Sequence, residues 1–223
     1  MVAPFLLGAI AIVFMLAYWR PGAGIVVGIL LLLFLPGRWW RWKTRRFHRG
    51  LRALKSGDSA TARSELERFM RDLEGDPRFD RWQPIFNLGR RYSYPGAAHA
   101  NIGVTWLHEG EPAKALHHFE IARRLDETSA QAAFGEAAAR RRLGQLRKAE
   151  KAAERATELR PSYLPARLLL AEIRRERGDE EGAAEVLRPL AEDGRDPESL
   201  IQEMLSQWPT SAEGEDKQPG SPR

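Results

Sequence analysis

The chain has 223 residues, 43% hydrophobic and 29% charged, with 35 Lys+Arg against 30 Asp+Glu for a formal charge of +5. That apolar share excludes a wholly disordered chain, and the length suits one large or two small domains with a real core. The lack of cysteine excludes disulfides, thiolate nucleophiles, iron–sulfur clusters and cysteine-ligated zinc.

The charge is unevenly spread. The first acidic residue is Asp58, and nine of the 35 basic residues precede it, leaving 26 basic against 30 acidic residues and a net of −4 from there on. Val2–Trp19 is an uncharged run of 18 residues, roughly 27 Å as a helix and so close to the thickness of a bilayer core. After Arg20-Pro21-Gly22, a second apolar run from Ala23 to Leu35 extends through Pro36, Gly37 and a snorkelling Arg38 to Trp42, since aromatic and basic side chains suit the headgroup region. A cleaved signal peptide would need a basic leader, a shorter apolar stretch and a small-residue cleavage site, and none is present. One long tilted span would bury Arg20 and lose a hydrogen bond at Pro21. The pattern therefore predicts a transmembrane hairpin over 1–42, with spans 2–19 and 22–42. The basic residues that follow place the larger C-terminal part in the cytoplasm by the positive-inside bias. Arg38, Trp39, Trp40, Arg41, Trp42, Lys43, Arg45 and Arg46 are the predicted membrane-surface contacts, resting against anionic lipid headgroups. The alternative for the strip 38–55, a nucleic-acid site in which tryptophans stack bases, is set second because proximity to a membrane helix already accounts for it.

Beyond the strip the sequence repeats. Gly110, Gly144 and Gly178 are spaced by 34 residues, as are Ala115, Ala149 and Ala183; Ala122 and Ala156, and Leu125 and Leu159, follow the same period. Glycines can take the left-handed conformation that stops a helix, and small residues such as Gly103, Ala137 and Ala171 allow two helices to approach closely. Each helix pair buries little alone, so stacking on neighbours supplies the core.

These residues resemble the tetratricopeptide repeat (TPR), a helix–turn–helix unit of this period. The clearest copy is 96–129, with Ile102-Gly103, Trp106, Gly110, Ala115, Phe119 and Ala122 at the family's offsets; the others are 130–163 and 164–197. Departures are Ala153 for Phe, Arg174 for an aromatic and Glu127 for Pro. A degenerate basic copy, with Gly50, Gly57, Ala62, Leu66 and Phe69, covers 43–76. Residues 77–95 break the period as an aromatic-rich insertion, read as core filler ahead of a partner-binding element. Asp196-Pro197-Glu198 opens a helix over 197–208 whose Leu200, Ile201, Met204, Leu205 and Trp208 share a face, the cap that a solenoid needs. The tail 209–223 is expected to be disordered. The fold class is thus all-α: a transmembrane hairpin, a TPR-like solenoid of three to four helix pairs and a capping helix.

No phosphate loop, serine elbow or His-Glu-x-x-His motif occurs. His48, His99, His108, His117 and His118 are expected to be solvated or packed rather than ligands, since adjacent His117 and His118 point about 100° apart on a helix. No catalytic residue, metal site or cofactor is expected, and an enzyme or metal protein working through the histidines is the less favoured alternative. The resemblance implies a binding function in which the first helices of the repeats line a concave wall for a protein or peptide. Its offsets place Ala97, Ala100, Val104, Leu107 and His108 there from the first copy, then Gln131, Phe134, Ala138, Arg141 and Arg142, then Leu168, Glu172, Arg175 and Glu176. That wall would be apolar at one end and basic from Arg141 to Arg175. Ala100 and Val104 stand where chaperone-binding members carry a polar clamp, which disfavours that ligand. Similar membrane-anchored repeats imply a scaffold in assembly or quality control of a bacterial inner-membrane or envelope complex, by analogy of fold alone.

Overall fold

Short runs rich in alanine, leucine, arginine and glutamate favour helix, and glycine or a polar cap ends each run. In the computed structural model, residues 21–74, 76, 79, 93–192, 196 and 198–200 are described, with side chains placed from residue 37 up to residue 190 and at 196 and 198–200. They form the α-helices α1 (Pro21–Lys55), α2 (Ser59–Leu73), α3 (Tyr94–His108), α4 (Pro112–Leu125), α5 (Ala130–Arg142), α6 (Leu146–Leu159), α7 (Leu164–Glu176) and α8 (Glu180–Glu192). Successive helices pack as pairs, and α3, α5 and α7 also touch one another in order, so the first helices make one inner layer. This is an all-α solenoid.

The turns follow the sequence period. Gly57, Gly110, Gly144 and Gly178 all have positive φ, from 70° to 81°, the region that a side chain disfavours. Ser93 and Ser129 cap α3 and α5 by accepting from the amides of Gly96 and Ala132, which satisfies one otherwise orphaned donor in each.

One core runs through α3 to α8 and is built from small residues: Ala115, Ala132, Ala137, Ala149, Ala153, Ala156, Ala166 and Ala171 are all fully buried around Phe119 and Ile173. A second, aromatic core joins α1, α2 and α3. There Trp40 stacks on Phe79 at 4.8 Å and meets Tyr94 edge-on at 5.4 Å, while Phe47 lies 5.4 Å from Phe69 and 5.2 Å from Tyr94. Phe79 and Tyr94 come from the aromatic-rich stretch, and both fill core; the residues 80–92 between them lie outside the described set.

The N-terminal expectations need correction. The first proposed span, 2–19, lies outside the described residues. The second, 22–42, is not a separate element, because α1 runs unbroken from Pro21 to Lys55 through Pro36 and Gly37. Among the described residues, no helix is long and apolar enough to cross a membrane. The cause of the continuity is a face of α1: Trp40, Thr44, Phe47 and Leu51 recur at helical spacing and turn toward α2 and α3. Gly50 lies on that side, and a Cβ there would sit 2.7 Å from Leu66 Cγ, so the glycine permits the close crossing of α1 on α2.

Candidate functional site

The residues expected to line the inner wall fall into two groups. Ala100, Val104, Leu107, Phe134, Ala138 and Leu168 are buried within the α3–α8 core, Phe134 and Leu168 at 2% exposure each. His108, Gln131 and Glu176 are exposed, and Ala97, Arg141, Arg142, Glu172 and Arg175 are half-buried. The apolar end of the wall is therefore core, held partly by the edge-on contact of Phe134 with Tyr163 at 5.5 Å.

The expected basic stretch is internally neutralised. Arg141 on α5 donates to Glu176 at 2.5 and 2.8 Å and reaches Glu172 at 3.5 Å, both on α7. Arg175 grips both carboxylate oxygens of Glu198 at 2.9 and 3.0 Å. Arg142 donates to the Leu107 carbonyl at 2.5 Å; burial, and then the neighbouring Arg141 cation, lower its pKa. Gln131 donates to Asn101 at 3.4 Å. Charges on facing inner helices complement each other, so the wall's arginines tie repeat to repeat. The repeat offsets could not show that Glu172 and Glu176, one turn apart on α7, would meet Arg141.

A parallel system explains the departure from the repeat pattern at Arg174. Trp106, Arg140 and Arg174 recur at the sequence period. Arg140 donates to Glu136 and Glu120 at 2.9 Å each, and Arg174 donates to Glu154 at 3.0 Å and Glu150 at 3.1 Å. Glu120 and Glu154 themselves stand one period apart, so the same arginine–glutamate staple is used twice. Arg177 adds a further ion pair to Glu150. Trp106 instead takes cations onto its ring, Arg63 at 4.0 Å and Lys114 at 4.6 Å from the centroid.

The histidines contain a pair that the sequence reading missed. His99 on α3 and His118 on α4 bring their Nδ1 atoms within 3.1 Å, with stacked rings 5.3 Å apart. Burial lowers the His118 pKa to about 4, helped by His99, His117 and Arg63, and burial followed by His117 lowers that of His99. A neutral pair can share one Nδ1–H, whereas two cations cannot. Only the facing of α3 and α4 within one repeat, not local spacing, could have revealed it. Among the described residues, no three His, Asp or Glu side chains are placed to hold a metal.

On α1 the expected membrane-surface set divides. Trp40 is a correction: it is 8% exposed inside the aromatic core, because its position on the helix faces α2. Lys43 pairs with Asp76 at 2.5 Å and Arg46 with Asp72 at 2.7 Å, and Trp39 is half-buried. Arg38, Arg41 and Arg45 face solvent beside Trp42, which is 50% exposed with the Arg45 and Lys43 cations over its ring.

Comparison with known proteins gives the same answer as the helix pairing. A tetratricopeptide-repeat family model matches residues 141–208. The solved structure of YrrB, described as a TPR protein with an unusual peptide-binding site, is similar at a TM-score of 0.52 and 16% identity, covering 89% of this chain and 90% of that one. The described helices have the TPR fold. Two further likenesses are weaker. The first TPR of Spaghetti (RPAP3), bound to the HSP90 peptide SRMEEVD, has a TM-score of 0.49 at 20% identity, over 61% of this chain and 95% of that one. MamA has a TM-score of 0.48 at 20% identity, over 71% and 90%. No curated protein matches the sequence.

Proposed function

We propose that this chain is a protein-interaction scaffold whose TPR solenoid presents its inner wall to a protein or peptide. One observation carries the reading: α3, α5 and α7 stack into a single layer that keeps His108, Gln131 and Glu176 exposed along one wall. The likeness of fold to a protein with a peptide-binding site supports it. The role is binding rather than catalysis, with no cofactor. A photo-crosslinker placed at Gln131, on the inner wall, and at Lys151, on the outer helix α6, tests this. A partner captured from position 131 and not from 151 is expected; equal capture at both positions, or none, would overturn it.

The finer reading tethers the scaffold to a bacterial inner membrane with its solenoid in the cytoplasm, serving assembly or quality control of an envelope complex. It is supported by the uncharged run Val2–Trp19 and by the solvent-facing Arg38, Arg41, Trp42 and Arg45 of α1, chemistry that suits anionic headgroups. Reporter fusions after Arg223 are expected to report a cytoplasmic C-terminus, and activity of a reporter that works only outside the membrane would sink that orientation.

A further inference from the structure

A separate cluster of charge lies on the outer side of the solenoid, away from the inner wall. Helices α4 and α6 flank an open cleft of about 270 Å³ floored by Ala133 and Glu136 of α5. Its lining holds five cations, Arg123, Arg140, Lys148, Lys151 and Arg155, against the one acid, Glu136. Arg140 is fully committed, to Glu136, Glu120 and Gln145. Arg123 meets Glu136 through Nε alone at 3.0 Å, and Arg155 meets the Glu127 carbonyl at 3.2 Å, so both keep N–H donors to spare. Lys148 and Lys151 are exposed. The acids beside them on α6, Glu150 and Glu154, are turned to Arg174 instead, leaving neither lysine with an ion pair among the described residues. Lys148, Lys151 and Arg155 share a face of α6 at spacings of three and four, where like charges repel. The repeat does not require that stripe: one period later the same positions are Gly182, Glu185 and Pro189, and one period earlier Lys114, His117 and Ile121.

We propose that this cleft binds a small, multiply charged phosphate anion of the pyrophosphate class. Even counting Glu120, which joins through Arg140, the cleft keeps an excess of positive charge that such an anion neutralises. Donors on both flanks, from α4 and from α6, suit the several oxygens of a phosphate better than the two of a single carboxylate. The only apolar side chains in the lining are Ala133 and Ala152, 1% and 8% exposed. A base therefore finds no ring to stack on, and an acyl chain finds no apolar surface, which favours a free anion over a nucleic acid or a lipid. The ligand is not a polypeptide and the cleft is not the inner wall, so this site stands or falls apart from the scaffold reading.

Calorimetric titration of the full-length chain with pyrophosphate tests the site. One anion per chain is expected, with an affinity that falls as salt rises. Lys148→Gln/Lys151→Gln should weaken it about tenfold or more, the scale of lost charge-assisted hydrogen bonds. Both positions are exposed, and glutamine suits a helix as well as lysine, so helical content should hold. Arg38→Gln/Arg41→Gln/Arg45→Gln on α1 should leave the affinity unchanged. No saturable binding, an affinity that the α6 variant leaves unchanged, or an equal loss in the α1 variant would overturn the site. Glycerol 3-phosphate, which carries the phosphate monoester of a lipid headgroup, should bind more weakly than pyrophosphate; tighter binding would assign the cleft to lipid and overturn the free-anion ligand.

Discussion

Phe119 shows how tightly single residues set the helix spacing. Its ring is fully buried between two inner helices, and a Cβ built on Gly103 of α3 or Gly135 of α5 would come within 2.9 and 2.1 Å of it. Alanine usually gains about 0.5–1 kcal/mol over glycine inside a helix, but overpacking a buried ring costs about 1–3 kcal/mol or more. Gly135→Ala should therefore destabilise on balance, and cost less in a Phe119→Leu background; a denaturant double-mutant cycle with no such coupling would refute the clamp. Titration is the second effect at this scale. His118 is neutral in the fold down to about pH 4 against an ordinary value of 6.5, so the unfolded chain binds its proton first as pH falls. Its neutral state therefore supports the fold above about pH 6.5, and that contribution is lost progressively toward about pH 4. His118→Gln should flatten the fall in urea midpoint across that window, whereas an identical pH profile in both proteins would refute the effect. Gly103 was legible from its place in the repeat. Gly135 and the His99–His118 contact were not, because they depend on which residues of neighbouring helices face each other.

At the scale of elements, the turns are the part that the sequence specifies best. Gly144 sits between α5 and α6 at φ 70°, and nothing lies within 4 Å of where a Cβ would be, so substitution there acts through the backbone alone. Gly144→Ala should cost about 1–2 kcal/mol, Gly144→Val more, and Gly144→Asn least, since asparagine tolerates the left-handed region. Equal denaturation midpoints for the three variants would argue against strain as the cause. The glycine period disclosed these turns because a positive φ imprints one residue type directly. Helix α1 was misread at the same scale for the opposite reason. Its Trp and Arg residues suit a lipid interface and a protein core equally by composition, and only the spacing of Trp40, Thr44, Phe47 and Leu51 distinguishes the core-facing side. The arginines at 140 and 174 were similarly opaque: their acids belong to other helices, so the staples emerge only when the pairs stack.

Across the whole molecule, the two cores differ in kind, and a solenoid's stability is roughly a sum of repeat and nearest-neighbour terms. The aromatic core ties α1, α2 and α3, while the alanine-rich core carries α3 to α8; half-buried Trp106 packs against both. A lesion at one end should then stay there unless it spreads through α3. Phe47, 2% exposed, is surrounded by Phe69 and Tyr94, and Phe47→Ala should cost about 3–5 kcal/mol, a large part of the about 5–15 kcal/mol that a domain holds. Hydrogen exchange should show amide protection lost through the second half of α1 and through α2, with α5 to α8 nearly unchanged, because none of their residues touches the cavity. Uniform loss across all eight described helices would instead mean that Trp106 and α3 couple both cores into one cooperative unit, and would rule out end-to-end independence of the solenoid.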